Sequence, residues 1–191
     1  MKVTDVLLTT KIINIIGEPS AGKSTLALEV TANIKKQGVN AELVTEFAKD
    51  LVWDNNLEAL KSQEYIFAEQ HKRIKRLVGK VDVIVTDSPL LLSTIYTEGT
   101  GTCKSLINFI EDTVNSYDND YYYLKRNHPY QQVGRVHTED EAKVIGTKLD
   151  KICDRVNAHL LYSKDSNYNV GYIIRRSLYN VIEKKVKHSY L

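Results

Sequence analysis

The chain contains no run of about 18 consecutive apolar residues, the length a helix needs to cross a bilayer. Nor does it open on a basic stretch followed by a long apolar segment, so no secretory leader is expected and a cytoplasmic location is. Cysteine is scarce. Cys103 and Cys153 stand far apart and form no metal-spaced cluster, and they suit a reducing compartment as structural or bystander thiols. An excess of either charge is also missing. With 26 basic and 24 acidic residues the net charge is +2, so nothing demands a nucleic acid or a membrane as partner. No internal repeat or low-complexity linker interrupts the 191 residues, which we expect to form one α/β domain over 1–191. Tyrosine, by contrast, is plentiful: twelve, with Tyr121, Tyr122 and Tyr123 in a row. Such rings can stack on bases, but a run leading into Leu124 reads first as strand-forming.

The most informative segment is residues 17–25, Gly17, Glu18, Pro19, Ser20, Ala21, Gly22, Lys23, Ser24 and Thr25. It follows the apolar run Ile12, Ile13, Asn14, Ile15, Ile16 and precedes a helical pattern. This is the phosphate-loop spacing G-x-x-x-x-G-K-[ST] in its strand–loop–helix context. The two glycines let the backbone wrap an anion with its N–H groups inward. Lys23 can reach the β- and γ-phosphates, and the Ser24 hydroxyl can ligate Mg²⁺. The helix beyond aims the positive end of its dipole at the same place. An ordinary Gly/Ser turn would not explain a lysine at a helix start, where it opposes the dipole unless an anion is present.

Hydrophobic patterning predicts strands over 11–16, 41–46, 81–87, 121–125 and 169–174. Residues 1–9 read as a leading strand or an arm. Helices are expected over 23–36, ending at Gly38, and over 57–78, 90–96 and 102–115, with a short helical turn at 47–53. Thr138 and Glu141 have capping-box spacing, which predicts a helix running to about 161, and a closing helix is expected over 177–188. Strands alternating with helices imply a three-layer fold around a mostly parallel sheet of about five strands.

Three strand ends then converge. In an open parallel sheet, ligands bind beyond the carboxyl ends of the strands. Asp87 ends one strand, where it can organise Mg²⁺ together with Ser24 or simply make a turn before Pro89. Glu46 ends another, where it can orient or deprotonate an acceptor hydroxyl or cap the next helix. Arg126 follows the fourth strand, and Arg135 lies in the polar, basic, Gly134-bearing segment 126–137, which suits a closing lid. Guanidinium groups there would stabilise phosphoryl charge, or be solvated. Lys125 and His128 are weaker candidates. Gln70 and Arg73 belong to a helix face that is either solvated or borders an acceptor pocket, and Phe47 and Trp53 either line that pocket or sit in the core.

The segments INIIGEPSAGKSTLALEV, VTEFAKDL, FAEQ and VDVIVTDSPLLLSTIY resemble the phosphate-loop kinase family that contains bacterial nicotinamide riboside kinase domains and small bacteriophage ATPase-like proteins. The likeness runs from Lys11 to Tyr96 and continues more loosely through HPYQQVGRVHTEDEAK. It implies a nucleoside-kinase-like fold, ATP as donor at residues 17–25, Mg²⁺ as cofactor, and Glu46 and Asp87 near acceptor and metal. That family more often carries arginine where Lys49 stands here.

Phosphoryl transfer to a small nucleoside-like or nucleoside monophosphate acceptor is therefore the leading expectation. Lys23, Glu46, Asp87, Arg126 and Arg135 would be its catalytic set. Two alternatives stay open. One is a kinase of nucleic-acid ends or modified bases, for which the basic segments 71–76 and 184–187 could track a backbone, although the small net charge does not favour it. The other is a nucleotide-hydrolysing switch without an acceptor. Oligomeric state has no signal in the sequence.

Overall fold

A computed structural model of the chain describes residues 10–97, 104–126, 139–161 and 165–188. The fold is built on β1 (Lys11–Gly17), α1 (Lys23–Lys36), β2 (Ala41–Val44), α2 (Phe47–Trp53), α3 (Leu57–Leu60) and α4 (Gln63–Lys75). These are followed by β3 (Val83–Thr86), a 3-10 turn (Leu90–Leu92), α5 (Ser93–Thr97), α6 (Lys104–Asn115) and β4 (Asp118–Leu124). The chain closes with α7 (Glu139–Arg155), β5 (His159–Leu161) and α8 (Ser166–His188).

The sheet has the order β2-β3-β1-β4-β5 with every pairing parallel. β1 lies in the middle and shows why the layers form. Ile13 and Ile15 face one side, where they pack with α1 and α8 through Leu26, Val30, Ile34, Ile173 and Leu178. Ile12 and Ile16 face the other, packing with Phe67, Ile74, Ile110, Leu149 and Ile152 of α4, α6 and α7. Period-two alternation in a strand that is apolar on both faces produces a sheet covered on both sides. All four isoleucines are essentially solvent-free, and each contributes roughly 1.5–3 kcal/mol by burial.

The expected strand and helix at 11–16 and 23–36 form almost residue for residue, and Gly38 (φ 76°) terminates α1 as its position predicts. Four expectations need correction. The helix predicted over 57–78 is broken: Asn55 (φ 54°) closes α2, Asn56 caps α3 by accepting from Ala59 N–H, and Ser62 caps α4 by accepting from Tyr65 N–H. Two side-chain caps so close together outcompete a continuous helix. The helix predicted to reach 161 ends at Arg155. Asn157 (φ 50°) adopts the left-handed conformation, with Ala158 N–H bonded to Cys153 O and Asn157 N–H to Asp154 O, a Schellman ending. Residues 159–161 then become the fifth strand, paired with β4.

The strand predicted over 169–174 belongs instead to α8. Val170, Ile173, Ile174, Ser177 and Leu178 are buried at helical spacing, and the apolar run had masked that period. The fourth strand also starts earlier than expected, at Asp118. Residues 1–9 and 127–138, which include most of the predicted lid, with Arg135, His128 and the capping Thr138, lie outside the described residues. No helix among the described residues is long and apolar enough to cross a membrane.

Candidate active site

Because all the strands run the same way, Gly17, Glu46, Asp87 and Arg126 emerge on one edge of the sheet, at or just beyond the carboxyl ends of β1, β2, β3 and β4. β1 is flanked by β3 and β4, so the chain reverses its lateral direction there, and this is where a crevice opens in an α/β sheet.

Gly17 is obligatory at the end of β1. A Cβ there would sit 2.5 Å from the Leu124 carbonyl oxygen of the neighbouring strand. The loop then turns through Ser20 (φ 67°) to Gly22 (φ 91°), the residue preceding α1. Helix α1 has no side-chain cap and no acid in its first turn, so its N-terminal amides are open to an anion. Lys23 folds back over the loop, donating from Nζ to the carbonyl oxygens of Gly17 (2.9 Å) and Glu18 (3.0 Å). The Glu18 carboxylate in turn holds Arg126, with Nε to Oε2 at 3.5 Å.

Ser24 Oγ donates to Asp87 Oδ2 at 2.5 Å. Asp87 is only 5% exposed, and its Oδ1 is buried with no hydrogen-bond partner among the described residues. A buried carboxylate oxygen left unsatisfied is costly unless a ligand completes it. Together with the hydroxyl it makes a pair of hard oxygen donors, which fits Mg²⁺. Among the described residues no cluster of three or more His, Cys, Asp or Glu could hold a metal by itself. That also suits Mg²⁺, which binds through one or two protein oxygens plus phosphate oxygens and water.

Glu46 occupies the N-cap position of α2 without making a side-chain cap hydrogen bond. Its carboxylate instead lines a cleft of about 250 Å³ shared with Gly17, Pro19, Lys23 and Asp87. Lys49, Gln63, Ser88 and Tyr96 add polar groups, and Val52, Leu60, Ile66 and Leu92 make apolar wall. Tyr96 leaves 37% of its surface exposed, yet burial around its hydroxyl, followed by the Glu46 carboxylate, pushes the phenol up to about 12. It therefore stays a neutral hydrogen-bonding group at any physiological pH.

Gln70 lines the cleft as well, but it is not on a solvated face. It is 3% exposed, and its amide clamps the β2–α2 junction by accepting from Phe47 N–H (2.9 Å) and donating to Thr45 O (3.3 Å). Arg73 is likewise a brace, bonded to Asp50 (2.6 Å) and lying over the Phe47 ring. Phe47 is buried, whereas Trp53 is 65% exposed and is not part of the cleft lining. Lys125 pairs with Asp150 and covers the Tyr123 ring. Sequence reasoning missed Tyr96, Gln63 and the Glu18 side chain. Glu18 stood in the motif at a position read for its backbone, and Tyr96 carried no signal beyond its place at a helix end.

Comparison with known proteins agrees with this fold. The model of the AAA domain family matches residues 12–168. Thymidylate kinase from Ehrlichia chaffeensis superposes with a TM-score of 0.61 at 17% identity, covering 87% of this chain and 97% of that one. Deoxyadenosine kinase from M. mycoides does so with a TM-score of 0.53 at 17% identity, covering 93% and 99%. At that identity the likeness establishes the fold, that of the phosphate-loop kinases. RecA of a Nitratiruptor species is 38% identical over 91 residues, 44% of this chain and 26% of that protein. RecA of Anaplasma marginale (strain Florida) is 36% identical over 91 residues, 44% and 25% respectively. The chain thus spans about a quarter of the length of these curated relatives. With a family match that runs from β1 to the start of α8, the chain belongs to the AAA domain family and carries its phosphate loop on a phosphate-loop kinase fold.

Proposed function

We propose that this protein transfers the γ-phosphoryl group of ATP to a small acceptor, nucleoside-like or a nucleoside monophosphate. The observation that carries the reading is one continuous cleft. It joins the phosphate loop and Asp87 to a chamber holding Glu46, Lys49, Gln63 and Tyr96 between apolar walls. A protein that only hydrolysed nucleotide would have no use for such a chamber. The fold neighbours, a thymidylate kinase and a deoxyadenosine kinase solved with dCMP and dCDP, support the same class of acceptor.

Residues 17–25 would wrap the triphosphate with backbone amides, and Lys23 would leave the carbonyls of Gly17 and Glu18 for the β- and γ-phosphates. Ser24 and Asp87 would hold Mg²⁺, which when bound neutralises phosphate charge. Glu46 would orient the acceptor hydroxyl or take its proton. The acceptor oxygen forms a bond to the γ-phosphorus as the bond to the β–γ bridging oxygen breaks, leaving ADP. Arg126, with Arg135, would stabilise the charge on the phosphoryl oxygens in flight.

The test is an acceptor screen with ATP and Mg²⁺ over nicotinamide riboside, nucleosides and deoxynucleoside monophosphates, with Lys23→Ala as control. A phosphorylated acceptor formed by the wild type and lost in Lys23→Ala supports the reading. ATP hydrolysis at one rate whatever acceptor is added would replace it with a nucleotide-dependent switch. Salt-sensitive phosphorylation of an oligonucleotide end would replace it with polynucleotide chemistry.

A further inference from the structure

Glu18 presents a problem that the phosphate-loop pattern does not solve. The motif leaves its position open, yet the chain places an anion in the loop that receives a polyanion. A carboxylate there repels phosphate and competes for the positive end of the α1 dipole. Three observations show what the side chain does. Its carboxylate engages Arg126 through Nε at 3.5 Å, with the Glu18 and Arg126 side chains only 21% and 12% exposed. It lies beneath α7, where a methyl added at Gly146 would make ordinary van der Waals contact with its Cγ and Cδ at 3.5 Å. The same residue's carbonyl oxygen accepts from Lys23 Nζ. Glu18 is thus a common anchor of two cations at the loop, Lys23 through its backbone and Arg126 through its side chain.

We infer that Glu18 is a positioning residue that holds Arg126 at the phosphate loop for the transferring phosphoryl group. This rests on the phosphoryl-transfer reading above. The ion pair at Nε draws the guanidinium toward the loop and restricts its rotamers. Arg126 is two residues past β4, on a backbone tied to Gly17 through the Leu124 pairing, so a small rotation of its side chain decides whether its charge reaches the loop. Partial burial of both side chains strengthens the pair relative to one in open solvent. The cost in nucleotide attraction is offset by an oriented cation, whose effect is greatest in the transition state.

The test is a double-mutant cycle of Glu18→Gln and Arg126→Ala, measured as kcat and KM for ATP with an acceptor found in the screen, and as binding of a non-hydrolysable ATP analogue. Glu18→Gln should lower kcat by about tenfold to a hundredfold while leaving KM for ATP unchanged or lower, since an anion has been removed from the loop. In the Arg126→Ala background it should cost nothing further, because its effect passes through that side chain. Glu18→Asp, which keeps the charge but withdraws it by one methylene, should fall between and serves if Glu18→Gln does not fold. Additive losses, or wild-type kcat in Glu18→Gln, would overturn the inference. Lys23-dependent transfer with an additive cycle removes Glu18 alone. Absence of Lys23-dependent transfer in the wild type removes the kinase reading and this inference with it.

Discussion

Ser24 and Asp87, 63 residues apart in the chain, meet through a hydrogen bond of 2.5 Å that joins the first turn of α1 to the end of β3. The other oxygen of the same carboxylate is buried and unsatisfied among the described residues. Stability alone would not select that arrangement, because a buried orphan acceptor costs about 1–3 kcal/mol. The proposed Mg²⁺ site gives that oxygen a use. Asp87→Asn should retain the fold, lower turnover on the order of a hundredfold and raise the Mg²⁺ concentration needed for half-maximal rate. Ser24→Ala should shift the Mg²⁺ dependence in the same direction by less. Mg²⁺ titrations of initial rate measure both, and unchanged titrations would confine the pair to a structural role.

Glu46 lines the cleft in which the proposed acceptor lies, so its removal should be felt chiefly in chemistry. Glu46→Gln should depress kcat by about 10²–10⁴-fold. Affinity for an ATP analogue and the melting temperature should change little. A drop in melting temperature with kcat preserved would reverse the assignment.

Gln70 predicts the opposite pattern. In Gln70→Leu the buried amide N–H of Phe47 loses its side-chain partner, and so does the part-buried carbonyl of Thr45. At about 1–3 kcal/mol for the unsatisfied buried amide, and less for a carbonyl that water can reach, denaturant unfolding should show a loss of roughly 1–4 kcal/mol. Acceptor KM should rise too, because the clamp positions the junction from which Glu46 projects. Stability within experimental error of wild type would show that water replaces the amide.

Acid should weaken the fold partly through two histidines. Burial, followed by Lys75, lowers the pKa of His71, whose Nε2 lies 2.7 Å from the Tyr117 hydroxyl. Burial, then Arg176, lowers that of His159, which accepts a hydrogen bond from Arg176 Nε. Both folded values lie below the ordinary 6.5, so the unfolded chain takes up protons first. Their stabilisation is complete above about pH 6.5 and is lost as pH falls through the folded values. The double variant His71→Gln, His159→Gln should flatten the dependence of melting temperature on pH between about 7 and 5. An unchanged slope would assign the acid sensitivity to carboxylates.

What could be read in the sequence follows the range of the interactions involved. The strand–loop–helix from Lys11 to Lys36 was legible nearly residue by residue. Its determinants, an apolar strand, two glycines, a lysine and a C-terminal glycine, act within a few positions of one another. The convergence of Gly17, Glu46 and Asp87 was legible one step further, because parallel strands with apolar sequences place their carboxyl ends together. Where local signals competed, the reading failed. The caps at Asn56 and Ser62 overrode a long helical pattern, and an apolar stretch in α8 imitated a strand until Ser177 and Leu178 supplied the helical period.

The sequence by itself therefore determined the phosphate loop, the parallel three-layer class and the acids at the strand ends, since each depends on neighbouring residues or on strand polarity. Only the tertiary structure decided the partners. Asp87 meets Ser24, Arg126 meets Glu18, and Tyr96 comes beside Glu46 in the cleft, while Gln70 turns inward to hold Phe47 and Thr45. These pairings span from about twenty to more than a hundred residues of chain. They are set by strand register and by which helix face the core buries, quantities that exist only once the whole sheet has assembled.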